Sequence, residues 1–169
     1  MRYWVLAALS VLMVAVETTV IPYISVSGIG PDIVGSFVAL VSMLNGRQDG
    51  LFVAVAAGFM EDMSSGQFLG LFTVVRLVIG YLAGACYQKV FQEWVLVPMV
   101  LVFVTGFVSG CLHVFLLASF GVPFGSYQVV LGAVIFQAAY SALLSPFLMR
   151  ATCSIDGYVR RISGHRKSL

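Results

Sequence analysis

The stretch from Gly50 to Gly84, GLFVAVAAGFMEDMSSGQFLGLFTVVRLVIGYLAG, joins two apolar segments through a short polar turn. The turn carries two adjacent acids, Glu61 and Asp62, and the second segment contains a single arginine, Arg76. Apolar segments of this kind are typical of helices in a membrane or a buried core. We therefore expect a helical hairpin with charged groups where its two helices meet.

Small residues recur in both segments of this hairpin. Gly50, Ala54 and Gly58 are spaced by four positions, which places them on one helix face. Gly80 and Gly84 repeat the same spacing in the second segment. In a membrane this spacing lets helix backbones approach closely, and packing rather than burial from water then holds the helices together. The pattern predicts close helix contact, either within the chain or with a partner.

The composition of the whole chain indicates a membrane protein. Hydrophobic residues make up 60% of the sequence and charged residues 9%, whereas roughly a quarter of the residues are charged in an ordinary soluble domain. The mean hydropathy is +1.03. So few polar residues cannot cover the surface of a water-soluble core, and the 169 residues have room for about six helices of 20 residues. We predict an all-α, polytopic membrane bundle over residues 1–151 and a short basic tail over 152–169.

Six apolar segments account for the predicted transmembrane helices, and the first of them is predicted to stop at Pro22. The spans are about Tyr3–Ile21, Asp32–Leu44, Leu51–Met60, Leu69–Tyr87, Val95–Ser119 and Tyr127–Met149. The second and third are short, and segments of about 10–14 apolar residues can be re-entrant or buried. A re-entrant hairpin would put the charged tip 45–49 inside the hydrocarbon, where charges are costly. We therefore predict two true spans here.

The distribution of lysine and arginine predicts the orientation. With six spans and a cytoplasmic N-terminus, all of these residues except Arg76 lie in cytoplasmic segments, namely Arg2, Arg47, Lys89, Arg150, Arg160, Arg161, Arg166 and Lys167. The positive-inside rule therefore predicts that both termini are cytoplasmic. The basic tail suits the anionic lipids of the cytoplasmic leaflet. It is short for nucleic acid, which we do not expect as a partner.

Glu17 and Arg76 are the ionisable residues well inside the predicted spans. At the helical rise they lie about 6 Å and about 10 Å below the outer ends of their helices, so the arginine side chain is long enough to reach Glu17. Asp62 is a second possible partner. Charges inside a bundle pair with one another or line a wet cavity. Three interpretations stay open: an ion pair that fixes helix registry, a polar cavity for a ligand on the outer side, or a contact with a partner protein.

The sequence does not indicate an enzyme or a cofactor. Glu61 and Asp62 are neighbours on a helix and point about 100° apart, so they do not form one site, and we expect a solvated acidic hairpin. His113 is predicted to be a polar packing residue or a hydrogen-bond donor between helices. The three cysteines have no metal-ligand spacing and are expected to be packing residues. No phosphate-binding loop or nucleophile–base arrangement appears.

The central motifs resemble those of the rod shape-determining protein MreD family. They are Pro31-Asp32 at the start of the second span, Gly58-Phe-Met-Glu-Asp62-Met-Ser-Ser-Gly66-Gln-Phe-Leu-Gly70 in the hairpin, and Gly80-Tyr-Leu-Ala-Gly84 after it. Family members have Pro-Asp, Gly-Phe-x-x-Asp-x-x-Ser-Gly-x-x-x-Gly and Gly-Tyr-x-x-Gly at these places. The resemblance covers residues 31–84 by motif, and the whole chain by length, span count and orientation. Arg76 is not part of the family pattern.

The resemblance implies an inner-membrane scaffold of the bacterial cell-elongation machinery, which synthesises peptidoglycan during rod-shaped growth. Such proteins bind the single-span protein MreC and work with the MreB filament and with RodA and its class B penicillin-binding protein. The resemblance also implies a fold similar to the six-helix substrate-binding subunit of energy-coupling-factor transporters. It implies that Asp32 and Asp62 are functionally sensitive. Further partner-binding or structural positions are then Gly58, Ser65, Gly66, Gly70, Gly80 and Gly84, with Glu17 and Arg76 as an intramembrane charge pair.

Two alternatives to the scaffold stay open. The first is a vitamin-binding subunit of an energy-coupling-factor transporter, whose first span typically carries an Ala-x-x-x-Ala pattern. The first span here has Ala7, Ala8 and Ala15, and no pair of them has that spacing. The second is a membrane scaffold outside the known families.

Overall fold

The computed structural model describes residues 2–26, 28–66, 69–85, 96–121 and 127–162, with side chains at these positions other than 2–3, 127 and 155–162. The described residues form six α-helices: α1 (Arg2–Ile24), α2 (Ile33–Asn45), α3 (Arg47–Ser65), α4 (Leu71–Ala85), α5 (Leu96–Ser119) and α6 (Tyr127–Ile162). An isolated bridge between Val26 and Ile29 closes the turn after α1, and no strand occurs within these ranges. The predicted all-α architecture is confirmed.

Three of the helices are long and apolar enough to cross a membrane, over Trp4–Ile24, Leu96–Ser119 and Gln128–Ser154. They belong to α1, α5 and α6. The apolar helices α2 and α4 are shorter, and the 13 residues of α2 extend about 20 Å, less than the roughly 30 Å of a hydrocarbon core. Length and composition therefore indicate three membrane-crossing helices, and the crossing of all six stays a prediction.

The short helix α2 lies at the centre of the bundle. Every residue from Val34 to Leu44 is buried, and α2 contacts all five other helices. A helix that is hydrophobic on every side is stable only where it is surrounded. The second apolar segment is thus short because it is a core helix.

Helices α3 and α4 form an antiparallel hairpin packed at glycines. A Cβ atom on Gly58 would lie 2.5 Å from Thr73 Cα, and one on Gly80 would lie 3.1 Å from the Gly50 carbonyl oxygen. At the other end of the hairpin, a Cβ atom on Gly84 would lie 2.8 Å from Arg47 Cα. The predicted close approach of helix backbones therefore occurs within the chain, along the length of this hairpin.

Several predicted helix ends differ from the structure. Helix α3, predicted over Leu51–Met60, runs from Arg47 to Ser65 and so includes Glu61 and Asp62. Helix α1 does not stop at Pro22 but continues to Ile24, because proline removes only its own N–H and the helix ends within the same turn. Helix α6 does not stop at Met149 but continues to Ile162. The prediction placed this end where charged residues begin, but polar residues end only the apolar stretch and not the helical conformation.

The predicted polar loop between the second and third spans is also shorter than expected. Gly46 alone separates α2 from α3, with φ of 90°, and its N–H donates to the Ser42 carbonyl. Arg47 and Asp49 already belong to the first turn of α3, where an acid is favoured by the helix dipole. The predictions for Cys86, Tyr87, Lys89, Arg166 and Lys167 fall outside the described residues.

Candidate functional site

Arg76 on α4 holds two carboxylates from two other parts of the chain. Its Nε and Nη2 atoms donate to the two oxygens of Glu61 on α3, at 2.7 Å and 2.6 Å. Its Nη1 atom donates to Asp32 Oδ2 at 2.6 Å. Arg76 is 3% exposed, Glu61 8% and Asp32 7%. The planar guanidinium group suits such forked bonds, and the three side chains fasten α3 and α4 to the start of α2.

Asp32 is the N-cap of α2. Its Oδ1 atom accepts the N–H of Gly35 at 2.7 Å, as expected of an aspartate before a first helical turn. Its own N–H donates to the hydroxyl of Ser141 on α6 at 2.8 Å. Gly35 is required here because a Cβ atom would overlap Arg76 Nη1 and the Asp32 carboxylate. Asp32 therefore holds the start of the core helix, and its functional sensitivity stays a prediction.

The predicted ion pair between Glu17 and Arg76 is corrected by the structure. Glu17 on α1 instead accepts the backbone N–H of Val34 at 2.6 Å, and the side-chain hydrogen bonds of Arg76 go to Glu61 and Asp32. The first N–H groups of a helix have no partner within the helix, and the start of α2 is buried. Glu17 therefore accepts a helix N–H that would donate to water at an exposed helix end.

The sequence predicts that Asp62 either pairs with Arg76 or lies in a solvated acidic hairpin. The structure contradicts both predictions. Asp62 is 1% exposed and caps α4. Its carboxylate accepts the N–H of Phe72 at 2.9 Å and the N–H and hydroxyl of Thr73 at 3.1 Å and 2.6 Å. Glu61 and Asp62 are adjacent but bind different groups, because neighbouring helical side chains point in different directions.

The remaining motif residues shape the turn of the hairpin. Gly66 ends α3 in the left-handed conformation at φ 62°, and its N–H donates to the Asp62 carbonyl at 3.3 Å. Glycine adopts this conformation without a Cβ clash, which explains its place at a helix end. The Ser65 hydroxyl donates to the same carbonyl at 3.2 Å, and both Ser65 and Gly66 are exposed. Gly70 precedes α4 at φ 95°.

A cavity of about 200 Å³ lies beside the charge cluster. Five helices or their caps contribute to its wall, whose polar members are Glu17, Asp32, Arg76, Ser109, His113 and Gln137. The His113 ring packs against Phe72, with 4.9 Å between the ring centroids. Within the described ranges, no three His, Cys, Asp or Glu side chains are placed to hold a metal ion. The cavity therefore offers charge and hydrogen bonds rather than a metal-ligand set.

The comparison with known families agrees with the motif evidence. The family profile of the rod shape-determining protein MreD matches residues 1–151. The chain belongs to the MreD family. The resemblance inferred from residues 31–84 is confirmed, and family and apolar helices together identify a membrane protein of a shape-determining system. Among curated proteins and among solved structures, no match to the chain was found.

Sequence reasoning missed Glu61 as the bidentate partner of Arg76. A signal was present, because the two residues lie at similar distances from the 66–70 turn and an antiparallel hairpin brings such positions together. It also missed Ser141, which binds Asp32 across a sequence separation of 109 residues. No local pattern marks that contact.

Proposed function

We propose that this MreD-family protein is a non-enzymatic scaffold of the cell-elongation machinery in the bacterial inner membrane. It binds an MreC-like single-span protein and links it to MreB, RodA and the class B penicillin-binding protein. The observation that carries the proposal is the family match over residues 1–151. The partners come from the resemblance of the hairpin motifs.

The two helices of the hairpin are joined by hydrogen bonds between buried groups, which suits a scaffold. Its polar groups, Glu61, Asp62 and Arg76, are buried and bonded within the chain. Apolar side chains at the turn end face outward instead, with Met63 52% and Leu69 75% exposed. In membranes, helices associate through packing. We propose that these outward side chains, with Ser65 and Gly66, contact MreC, while the buried polar groups maintain the shape of the contact surface.

The proposed topology has six crossings, with both termini in the cytoplasm. The distribution of lysine and arginine supports it through the positive-inside rule. Arg47 begins α3, so it lies at the end of the hairpin opposite to the 66–70 turn. This assignment puts the turn on the outer side, where the extramembrane part of MreC would lie. The likeness to the substrate-binding subunit of energy-coupling-factor transporters stays part of the proposal.

The size of the cavity beside the charge cluster argues against that cavity as a vitamin-binding site. Pockets for drug-sized ligands and cofactors have volumes of about 300–1,000 Å³. The cavity here has about 200 Å³. It is small and has both polar and apolar walls, which fits a small group better than a vitamin.

Co-purification with the MreC-like protein of the same organism tests the proposal. We expect Leu69→Ser to weaken the recovery of MreC, since it removes an exposed apolar side chain at the turn. Leu96→Ser is the matched control, because Leu96 is 62% exposed but begins α5 away from the turn. Ser65→Trp places a bulky group on the same surface and is expected to act like Leu69→Ser.

Each variant is first compared with the wild type by thermal unfolding in detergent, so that a folding defect is not mistaken for a lost contact. Wild-type protein that fails to co-purify with MreC would contradict the scaffold proposal. Equal losses from Leu69→Ser and Leu96→Ser would contradict the placement of the contact at the turn.

A further inference from the structure

Ser109 differs from the other buried hydroxyl residues of the described chain. Seven others donate to a backbone carbonyl, namely Ser10, Ser36, Ser42, Thr105, Ser141, Ser145 and Thr152. Ser109 is 6% exposed, lines the cavity and has no hydrogen-bond partner among the described residues. Leaving a buried polar group unsatisfied costs about 1–3 kcal/mol. Its hydroxyl is therefore free to bind something in the cavity.

Two further side chains on the cavity wall have unused acceptors. Glu17 uses Oε2 for the Val34 N–H, and its other oxygen, Oε1, has no donor within the described part of the chain. Gln137 lines the same cavity, and its side-chain amide likewise has no partner among those residues. Together with Ser109 they present three oxygen acceptors to one small space.

The charges around the cavity are unbalanced toward negative. Glu17, Asp32 and Glu61 are three carboxylates, and Arg76 is the one cation bonded in the cluster. The hydrogen bonds of Arg76 go to Asp32 and Glu61, so Glu17 feels the charge of Arg76 only at a distance and forms no direct ion pair among the described groups. A buried charge is stable only when it is paired and hydrogen-bonded. The site therefore selects against anions and favours a cation next to Glu17.

We propose that this cavity binds a small ligand through a primary ammonium group. Glu17 provides the opposite charge, and Ser109 and Gln137 accept the remaining hydrogen bonds. An ammonium group has three N–H donors and no acceptor, which matches the three free acceptors in number. A cavity of about 200 Å³ has the volume of about six or seven water molecules, enough for a short aminoalkyl group.

The ammonium group has two possible sources, which are an aminolipid headgroup entering from the bilayer and a free amine. The cavity lies near the helix ends around the 66–70 turn, since Arg76 is only five residues from the start of α4 at Leu71. This depth is about 8 Å at the helical rise, within reach of a headgroup. The inference concerns a ligand of the bundle itself and does not depend on the binding of MreC.

The experiment uses the full-length protein purified in detergent without aminolipid. Dioleoyl phosphatidylethanolamine and dioleoyl phosphatidylglycerol, which share acyl chains, are compared for retention by native mass spectrometry. Free ethanolamine is titrated in a separate arm, with thermal stabilisation as the readout. We expect the ethanolamine headgroup, free or lipid-borne, to bind, and phosphatidylglycerol not to be retained selectively.

Variants then locate the site. Glu17→Gln keeps an oxygen for the Val34 N–H but removes the charge, and we expect it to weaken binding at least about tenfold, as for one charged hydrogen bond or more. Ser109→Ala removes a hydroxyl with no partner among the described residues, so the protein should stay folded and bind several-fold more weakly. Thr105→Val is the matched control on α5, because the Thr105 hydroxyl bonds its own helix and binding should not change.

The outcomes separate the possibilities. Retention of phosphatidylethanolamine without a response to free ethanolamine identifies the lipid as the source, and a response to both identifies the ammonium group as sufficient. Absence of binding to either probe, selective retention of phosphatidylglycerol, or equal binding by wild type and both cavity variants would overturn the proposal and leave a water-filled cavity.

Discussion

Helices α2–α4 and the pair α5–α6 are held together in different ways. In the first group, Asp32, Glu61, Asp62 and Arg76 form bonds that join one helix to another. Within α5 and α6, serine and threonine hydroxyls other than that of Ser109 bond back to their own helix, as Thr105, Ser145 and Thr152 do. The two long helices meet through small residues instead, with Gly106 against Ala138.

The difference follows from where the helix ends lie. The start of α2 is buried, so its N–H groups need acceptors from inside the protein. The long helices α5 and α6 expose much of their apolar surface, for example at Phe115, which is 66% exposed, and Phe147, which is 73% exposed. Lipid can cover such surfaces, and their backbone bonds are satisfied within each helix. Polar contacts between helices are thus concentrated where short helices end inside the bundle.

The largest effect is expected from Arg76→Ala, which leaves the buried carboxylates of Asp32 and Glu61 without their cation. Removal of one partner from a buried ion pair costs about 3–5 kcal/mol. We expect a strong decrease in thermal stability in detergent. The combined change Asp32→Asn, Glu61→Gln and Arg76→Met should recover part of it, since no charge is then stranded. If Arg76→Ala is as stable as this triple variant, the cluster does not hold α2–α4 together.

Asp62→Ala is expected to have the next largest effect, because the N–H groups of Phe72 and Thr73 lose their acceptor. A hydrogen bond to a charged group contributes about 1.5–3 kcal/mol. The variant should therefore unfold in detergent at a clearly lower temperature than the wild type. Asp62→Asn, which keeps one acceptor oxygen, should lose less. Thr73→Val removes only the hydroxyl bond and should lose least; a reversed order would contradict the capping role.

A pair of glycine substitutions compares the packing between α3 and α4 with the packing between α5 and α6. Gly58→Ala on α3 puts a Cβ atom 2.5 Å from Thr73 Cα, whereas Gly106→Ala on α5 puts one 3.5 Å from Ala138 Cα. The first requires backbone movement, and overpacking costs about 1–3 kcal/mol. The second is an ordinary contact, and alanine favours a helix by up to about 1 kcal/mol. We expect a lower unfolding temperature for Gly58→Ala only. Equal effects of the two substitutions would mean that the α3–α4 and α5–α6 pairs are packed equally closely.

The smallest effect is expected where the two groups of helices meet. Ser141→Ala on α6 removes the acceptor of the Asp32 N–H, with an expected loss of about 1 kcal/mol for a neutral hydrogen bond. Ser145→Ala, one turn further along α6, removes a bond to its own helix and is the control. The difference between the unfolding temperatures of the two variants measures the connection between α6 and the core helix. No difference would show that apolar packing alone makes this connection.

The positions of the six helices could be predicted because apolar length and turn residues are local properties. The pattern from Val95 to Ser119 predicts α5 within one residue of its observed start at Leu96. The continuation of α6 to Ile162 could not be predicted from hydropathy, because hydropathy reports the surroundings of a helix and not its conformation. The same reasoning placed Glu61 and Asp62 in solvent, since charged residues at a turn are usually exposed.

The sequence by itself determined the membrane class, the family motifs and the glycine-lined hairpin, because composition and spacing are written along the chain. Only the tertiary structure decided which charges meet. The sequence offered Glu17 and Asp62 as partners of Arg76, and the choice of Glu61 and Asp32 instead depends on how the helices are placed in space. Glu17 was left to cap the buried start of α2 at Val34, since a backbone N–H inside a bundle must be satisfied by whichever acceptor the fold brings near.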